Sequence, residues 1–306
     1  MKNDLNSVIQ RTFVIGDEWL YYKLYCGPKT ADEILTEVLK PLTEKLLEEG
    51  VIDKWFFIRY SDPKLHLRIR FHYIFPENVS VIINSLNTYI KEYLKQDLIY
   101  KIQVDTYERE LERYGLKSIE HAENLFFHDS QMILDFLDVI EGDDGEIIRW
   151  LFAMKAIDTF LTDFSYNDKE KLNLLNGLKD GYGKEFGMNK MLKLQLDKKY
   201  RDQRQLINEM FDHKFRGENV QVLIDILEKK SKNTKEIIQN ILTMQSKEIL
   251  KRPLNDLLGS YIHMLMNRLF KSKQRMHEMV IYDFLYRYYR SEMAKRKYKP
   301  ELVNNS

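Results

Sequence analysis

The chain has 306 residues, 44% apolar and 31% charged, with 48 lysines and arginines against 47 acidic residues for a formal net charge of +1. That balance argues against a dedicated nucleic-acid binder, and the single cysteine, Cys26, excludes an intramolecular disulfide and any cysteine-rich zinc or iron–sulfur motif. No apolar run approaches membrane-spanning length and the polar N-terminus lacks a signal-peptide pattern, so a cytoplasmic location without membrane insertion is expected.

Residues 11–26 (RTFVIGDEWLYYKLYC) read as a strand interrupted near Gly16, with Trp19, Tyr21, Lys23 and Tyr25 on one face. Gly27-Pro28 ends it. Thr30 and Glu33 have capping-box spacing and open an amphipathic helix to about Glu49, kinked or divided at Pro41 and stopped by Gly50. Residues 55–75 (WFFIRYSDPKLHLRIRFHYIF) are the organising stretch: two runs of aromatic and branched residues flank a turn at Pro63. In the second run Leu65, Leu67, Ile69, Phe71 and Tyr73 alternate with His66, Arg68, Arg70 and His72. In the first, Phe56, Ile58 and Tyr60 are expected on the core side, with Phe57 and Arg59 opposite. A helix from Pro76 and a strand at 99–108 complete a split β-α-β pattern, a small antiparallel or mixed sheet covered by helices on one face.

Beyond Gly115 the texture turns helical, over 118–139, 146–163, 189–214, 218–229, 233–251, 255–271 and 273–297, with a turn at 142–145 and a Gly-rich loop containing a short helix at 165–187. No proline falls between Pro76 and Pro253. The expectation is therefore an α+β protein: a sheet-containing lobe over 1–115, a mostly helical lobe over 116–298 integral with it, and a polar tail over 299–306.

No GxSxG, HExxH, P-loop or GxGxxG motif occurs. Three places can carry chemistry. A row of cations on one strand repels itself unless it meets water, carboxylates or an anionic ligand, and arginine suits the last because it grips carboxylate or phosphate with two parallel hydrogen bonds. YERELERYG at 107–115 places Glu110 and Arg113 at i, i+3, as a surface ion pair or as part of an anion site. His263, in the apolar helix SYIHMLMNRLF, is either a satisfied core residue or an acid/base, with Asn267 one turn on. Spacing does not choose between these readings.

WFFIRYSDPKLHLRIRF, YERELERYG followed by HAENLFFHDS, and LLGSYIHMLMNRLF resemble, in that order, signatures of the C-terminal domain of lantibiotic dehydratases, which also occurs alone in thiopeptide-type bacteriocin biosynthesis proteins. The resemblance covers nearly the whole chain; the family's large glutamylation domain is expected to be missing, since these 306 residues leave no room for it. The resemblance implies a lyase that removes glutamate from glutamylated Ser or Thr of a ribosomally made precursor peptide, leaving dehydroalanine or dehydrobutyrine. It implies no cofactor and no metal. It assigns elimination to Arg68, Arg70, Glu110, Arg113 and His263; Arg59, His66, Tyr107 and Asn267 are expected to contact substrate. Where the family often has RYGG, this chain has RYGL, one turn position that touches none of these residues. A separate glutamyl-tRNA-dependent glutamylating protein is the expected partner, no direct nucleic-acid binding is expected, and exposed sheet edges make a homodimer reasonable. The alternatives are a pyridine synthase, joining two dehydroalanines by formal [4+2] cycloaddition, and a non-catalytic peptide-binding subunit.

Overall fold

In the computed structural model, which describes residues 9–140, 145–212 and 220–298, a short β1 (Thr12–Phe13) and a long β2 (Trp19–Cys26) are separated by a turn at Gly16. The Gly16 φ of +103° is one that a side chain would strain. Gly27 is the N-cap of α1 (Pro28–Glu33), and Pro28 sits in its first turn, where a missing N–H costs nothing. The helix thus starts ahead of the Thr30–Glu33 box expected to open it. It continues as a π-helical segment (Ile34–Leu39) into α2 (Lys40–Glu48), which has Pro41 in its first turn, so the chain is divided by a change of helical type.

Next come β3 (Lys54–Ser61), β4 (Leu65–His72), α3 (Asn78–Lys95) and β5 (Ile99–Asp105). The resulting β-α-β-β-α-β unit forms an antiparallel four-stranded sheet of order β3-β4-β2-β5. The strand expected over 99–108 is two pieces. β6 (Tyr107–Glu108) leaves the large sheet and pairs with β1.

Directly paired residues of antiparallel strands share a face. The hairpin register pairs Phe56 with Arg70, Ile58 with Arg68 and Tyr60 with His66, so all six stand on the arginine face. The expectation for the first strand is reversed: Trp55, Phe57 and Arg59 join Leu67, Ile69 and Phe71 on the face covered by the crossover helices. Alternation alone misassigned β3 because large apolar residues occupy both of its faces; Phe56 and Phe57 are both buried. The opposite face is itself roofed at its Trp19 end, where Trp19 meets Phe56 and Tyr107 edge to face and Phe126 lies tilted against Phe56.

α4 (Leu111–Tyr114), α5 (Ile119–Val139), α6 (Gly145–Asp163), α7 (Asp168–Glu185), α8 (Lys190–Phe211), α9 (Val220–Ser246), α10 (Leu254–Leu269) and α11 (Gln274–Tyr298) follow. The loop expected at 165–187 is instead the full helix α7. Asn167 caps it by accepting from the Lys169 and Glu170 amides (3.0 and 3.1 Å) while Glu170 returns a bond to the Asn167 N–H (2.8 Å), a capping box hidden by the glycines downstream. α9 also runs through the break expected between 229 and 233. The turn expected at 142–145 falls, up to residue 144, outside the described residues, as does the tail from 299.

The chain groups into two compact units: residues up to Asp138 with Asn240–Lys271, and Val139–Gln239 with residues from Ser272 onward. A boundary after Gly115 is therefore not where the contacts divide, because α5 and α10 pack with the sheet. In the second unit, α6, α7 and α11 share a buried polar knot in which Lys171 donates to Asp158 (2.5 Å) and Thr162 (2.6 Å), and Tyr289 also donates to Asp158.

β3 is an edge strand, and its edge is covered by side chains. The Asn267 amide accepts from the Arg59 N–H (2.9 Å) and donates to the Arg59 carbonyl (2.8 Å), while Ser130 accepts from the Phe57 N–H (3.2 Å). Asn267 thus stands in for a neighbouring strand, which is one way to protect an edge. Asn267→Leu is expected to cost on the order of 2–3 kcal/mol by orphaning both Arg59 backbone groups. Urea unfolding would measure it, and a loss under about 0.5 kcal/mol would show that water replaces the amide.

Candidate active site on the arginine face

The arginine face is laid out in three rows across β3, β4, β2 and β5. Phe56, Arg70, Tyr21 and Asp105 form the first; Ile58, Arg68, Lys23 and Gln103 the second; Tyr60, His66, Tyr25 and Lys101 the third. The alternation of the strands places these side chains, and the aromatic residues decide how deeply they sit. Arg70 lies in a cage of rings, its guanidinium carbon 4.4 Å from the Tyr21 centroid, 4.7 Å from Tyr107 and 5.1 Å from Phe56. It is only 8% exposed, and among the described residues its Nε finds no hydrogen-bond partner. Among the described residues it has no acidic group at ion-pair distance. Burial pulls its pKa below the ordinary arginine value, and the more distant charge of Glu110 opposes that effect. A buried cation without a counter-ion is costly to keep, and an arriving anion would relieve the cost.

Arg68 is more open. Its guanidinium stacks 3.4 Å from the Tyr60 centroid, and its Nε donates to His66 Nε2 (3.1 Å). Arg68 likewise has no acidic partner at ion-pair distance among the described residues. Lys23, between Arg68 and Asp105, is paired with Asp105 and so adds little net charge to the row.

Past β6, Arg113 meets Glu110 (3.3 Å) in a half-open pair at i, i+3. α4 ends at Gly115 (φ +82°), where a Cβ would also come to 3.0 Å from Ser118 Oγ, so the glycine of RYG has a local cause. Tyr114 stacks on Tyr261 (5.7 Å, 10° between planes), tying α4 to α10 two residues before His263. His263 is half-buried and shares a helical face with Asn267, one turn on.

The expected site residues divide into two groups. Arg68, Arg70, His66 and Tyr107 come together on one face, with Glu110 and Arg113 beside it and His263 on the helix attached through Tyr114. Arg59 and Asn267 have other work: Arg59 Nε donates to the Arg268 carbonyl (2.9 Å) and Nη2 to Asp32 (2.5 Å) on the helix-covered side of the sheet. Tyr107 is a wall of the Arg70 cage, and its hydroxyl donates to Glu123 (2.8 Å). Burial and the Glu123 charge push its pKa well up.

Two residues that hold the site together carry no sequence signal of their own. Glu123, fully buried on α5, accepts two bonds from Arg109 (2.7 Å each) besides that of Tyr107. Arg268, also fully buried, lies 4.7 Å from the Phe126 ring and donates to Ser130 (3.3 Å) and the Met264 carbonyl (2.8 Å). Burial pushes its pKa down to about 10. Lys23 and Tyr21 were visible as one face of β2, but only the register shows that this face continues the arginine rows.

A groove of about 780 Å³ lies in the second unit, yet it carries no imidazole, and its floor carboxylate, Asp283, is already held by Arg287 (2.5 Å). Among the described residues no cluster of three His, Cys, Asp or Glu could hold a metal ion, and no helix is long and apolar enough to cross a membrane.

One face of the antiparallel sheet thus presents two arginines that have no acidic partner at ion-pair distance among the described residues, with a carboxylate–arginine pair and an imidazole on adjoining elements, in an α+β protein. The chain belongs to the lantibiotic biosynthesis dehydratase C-terminal family, whose model it matches over residues 19–289. It is 28% identical to the nisin biosynthesis protein NisB of Lactococcus lactis subsp. lactis over 291 residues, 94% of this chain and 27% of that protein. It is 29% identical to the subtilin biosynthesis protein SpaB of Bacillus subtilis over 189 residues, 61% of this chain and 18% of that protein. The chain thus spans roughly a quarter or less of these relatives. The fold is similar to that of part of the tRNA-dependent lantibiotic dehydratase MibB from Microbispora sp. 107891 (TM-score 0.67, 20% identity, 94% of this chain and 29% of that one). It is also similar to that of the pyridine synthase TbtD from thiomuracin biosynthesis (TM-score 0.62, 11% identity, 90% of this chain and all of that one).

Proposed function

We propose that this chain eliminates glutamate from glutamylated Ser or Thr residues of a ribosomally made precursor peptide, in partnership with a separate glutamyl-tRNA-dependent protein that installs the ester. The observation that carries the reading is Arg70, a caged guanidinium with no counter-ion at ion-pair distance among the described residues, next to Arg68 and the Glu110–Arg113 pair. Elimination breaks the Cα–H and Cβ–O bonds and forms a Cα=Cβ bond. The α-proton passes to a base, and glutamate leaves as a carboxylate. Arg68, Arg70 and Arg113 hold the glutamyl group and the charge that develops on it. Glu110 keeps Arg113 in place. His263 takes the α-proton as the general base.

Mass spectrometry of a glutamylated precursor peptide incubated with the chain tests this. Loss of one glutamic acid per ester is the expected result, and an intact ester would overturn it. His263→Ala is expected to slow the loss by roughly 10²–10⁴-fold while leaving peptide binding nearly intact. Full turnover in that variant would remove His263 from the chemistry.

One observation favours a second reading, cycloaddition of two dehydroalanines to a pyridine: this chain and the pyridine synthase TbtD align over 90% and 100% of their lengths. A peptide already carrying dehydroalanines, returned as a cyclised core with freed leader, would identify that activity.

A further inference from the structure

Arg68 is held at an angle that its own strand does not dictate. Its guanidinium lies over the Tyr60 ring, and a hydrogen bond runs from its Nε to Nε2 of His66, two residues before it on the same face of β4. The imidazole is in turn fixed at its other nitrogen, where Nδ1 stands 2.8 Å from the Lys64 carbonyl oxygen. A carbonyl only accepts, so Nδ1 carries the proton; Arg68 Nε only donates, so Nε2 must be bare. Both contacts are satisfied by one species alone, the neutral Nδ1–H tautomer. His66 is 3% exposed, and its ring centroid lies 4.6 Å from that of Tyr25 and 5.7 Å from that of Tyr60.

We propose that His66 is a positioning residue: its bare Nε2 aims the Arg68 guanidinium across the sheet face, and protonation of that nitrogen releases it. The idea rests on the elimination reading, in which Arg68 holds the leaving glutamyl group, and departs from the expectation that His66 itself touches substrate. A protonated Nε2 would set two donors against each other beside a like charge, so Arg68 would swing away.

The groups around the ring favour the neutral form. Arg68 on β4 and Lys23 on β2 oppose protonation, and Lys101 of β5 lies in the same row, its ammonium 5.2 Å from the Tyr25 centroid. Asp62 in the hairpin turn and the Lys64 carbonyl favour protonation. Burial outweighs these and moves the titration to the acid side of the ordinary 6.5. The site is therefore assembled at neutral pH and comes apart in mild acid.

The test uses the full chain labelled with ¹⁵N. At neutral pH the His66 signals should show a protonated Nδ1 and an unprotonated Nε2, and the Arg68 Nε–H should be slow to exchange. As pH falls below about 6.5, protonation of His66 and loss of the protected Arg68 signal should coincide. A protonated Nε2 at neutral pH, or an Arg68 signal indifferent to the titration, would overturn the proposal. His66→Phe keeps a ring and lacks the acceptor; its rate of glutamate loss from the glutamylated peptide should fall by about tenfold or more. His66→Gln supplies an amide oxygen in place of Nε2 and should recover most of that rate while losing the part of the acid fall-off that His66 causes. Equal impairment of both variants with unchanged pH profiles would mean that His66 only packs. A chain that released no glutamate at any pH would overturn the elimination reading, whereas the nitrogen signals would still decide the bond itself.

Discussion

Arg70→Met is expected to cut glutamate release by at least about 10²-fold, the usual cost of removing one charge-stabilising donor, without lowering the melting temperature. Most arginine substitutions in a core destabilise because they strand a partner carboxylate. Among the described residues Arg70 has no such partner: its neighbours are the rings of Tyr21, Phe56 and Tyr107, and its Nε is unsatisfied. Cation–π attraction of ~0.5–2 kcal/mol per ring recovers part of the desolvation cost. Methionine keeps the length of the chain and removes the charge, and such a swap in a buried setting is often neutral or stabilising by up to a few kcal/mol. Calorimetry beside the mass-spectrometric assay would check both halves. A large fall in melting temperature would mean that the cation supports the fold, and full activity would mean that the cage is not the anion site.

Glu123→Ala is expected to have the opposite signature, a loss of ~3–5 kcal/mol of folding stability. Glu123 is fully buried and accepts from both Arg109 and Tyr107, so truncation leaves a buried guanidinium and a phenol without their acceptor. Because Tyr107 walls the Arg70 cage, activity should fall with it. Replacing the pair together, Arg109→Met with Glu123→Leu, should recover most of the stability, since no charge is then stranded. Urea unfolding of the single and double variants measures this. A single variant within about 1 kcal/mol of the parent would show that water reaches the site.

Some of this arrangement is legible along the chain. The alternation over 65–73 puts His66, Arg68 and Arg70 on one face whatever the fold around them, because successive side chains on a strand must point to opposite sides. Pro63 marks the turn, and Gly115 ends α4 where only glycine is at ease. Local pattern was weaker where long-range packing overrides it. The glycines at 177, 181 and 183 suggested a loop, yet the Asn167 capping box starts a helix through them. The faces of β3 were exchanged because Phe56 and Phe57 are both apolar, and only pairing with β4 tells them apart.

The sequence by itself determined the strand–helix order, the row of cations, the candidate imidazole and the family signatures, since each depends on residues a few positions apart. Tertiary structure alone decided which cations are free. Arg59, Arg68, Arg70, Arg109 and Arg268 look alike in the chain. The fold gives Arg59 to Asp32 and Arg109 to Glu123, closes Arg268 into the core, and leaves Arg68 over Tyr60 and Arg70 in its cage of rings with no carboxylate at ion-pair distance among the described residues. A guanidinium's role depends on what lies within a few ångströms of it, and the carboxylate that claims Arg109 comes from 14 residues away and the carbonyl that holds Arg59 from 209.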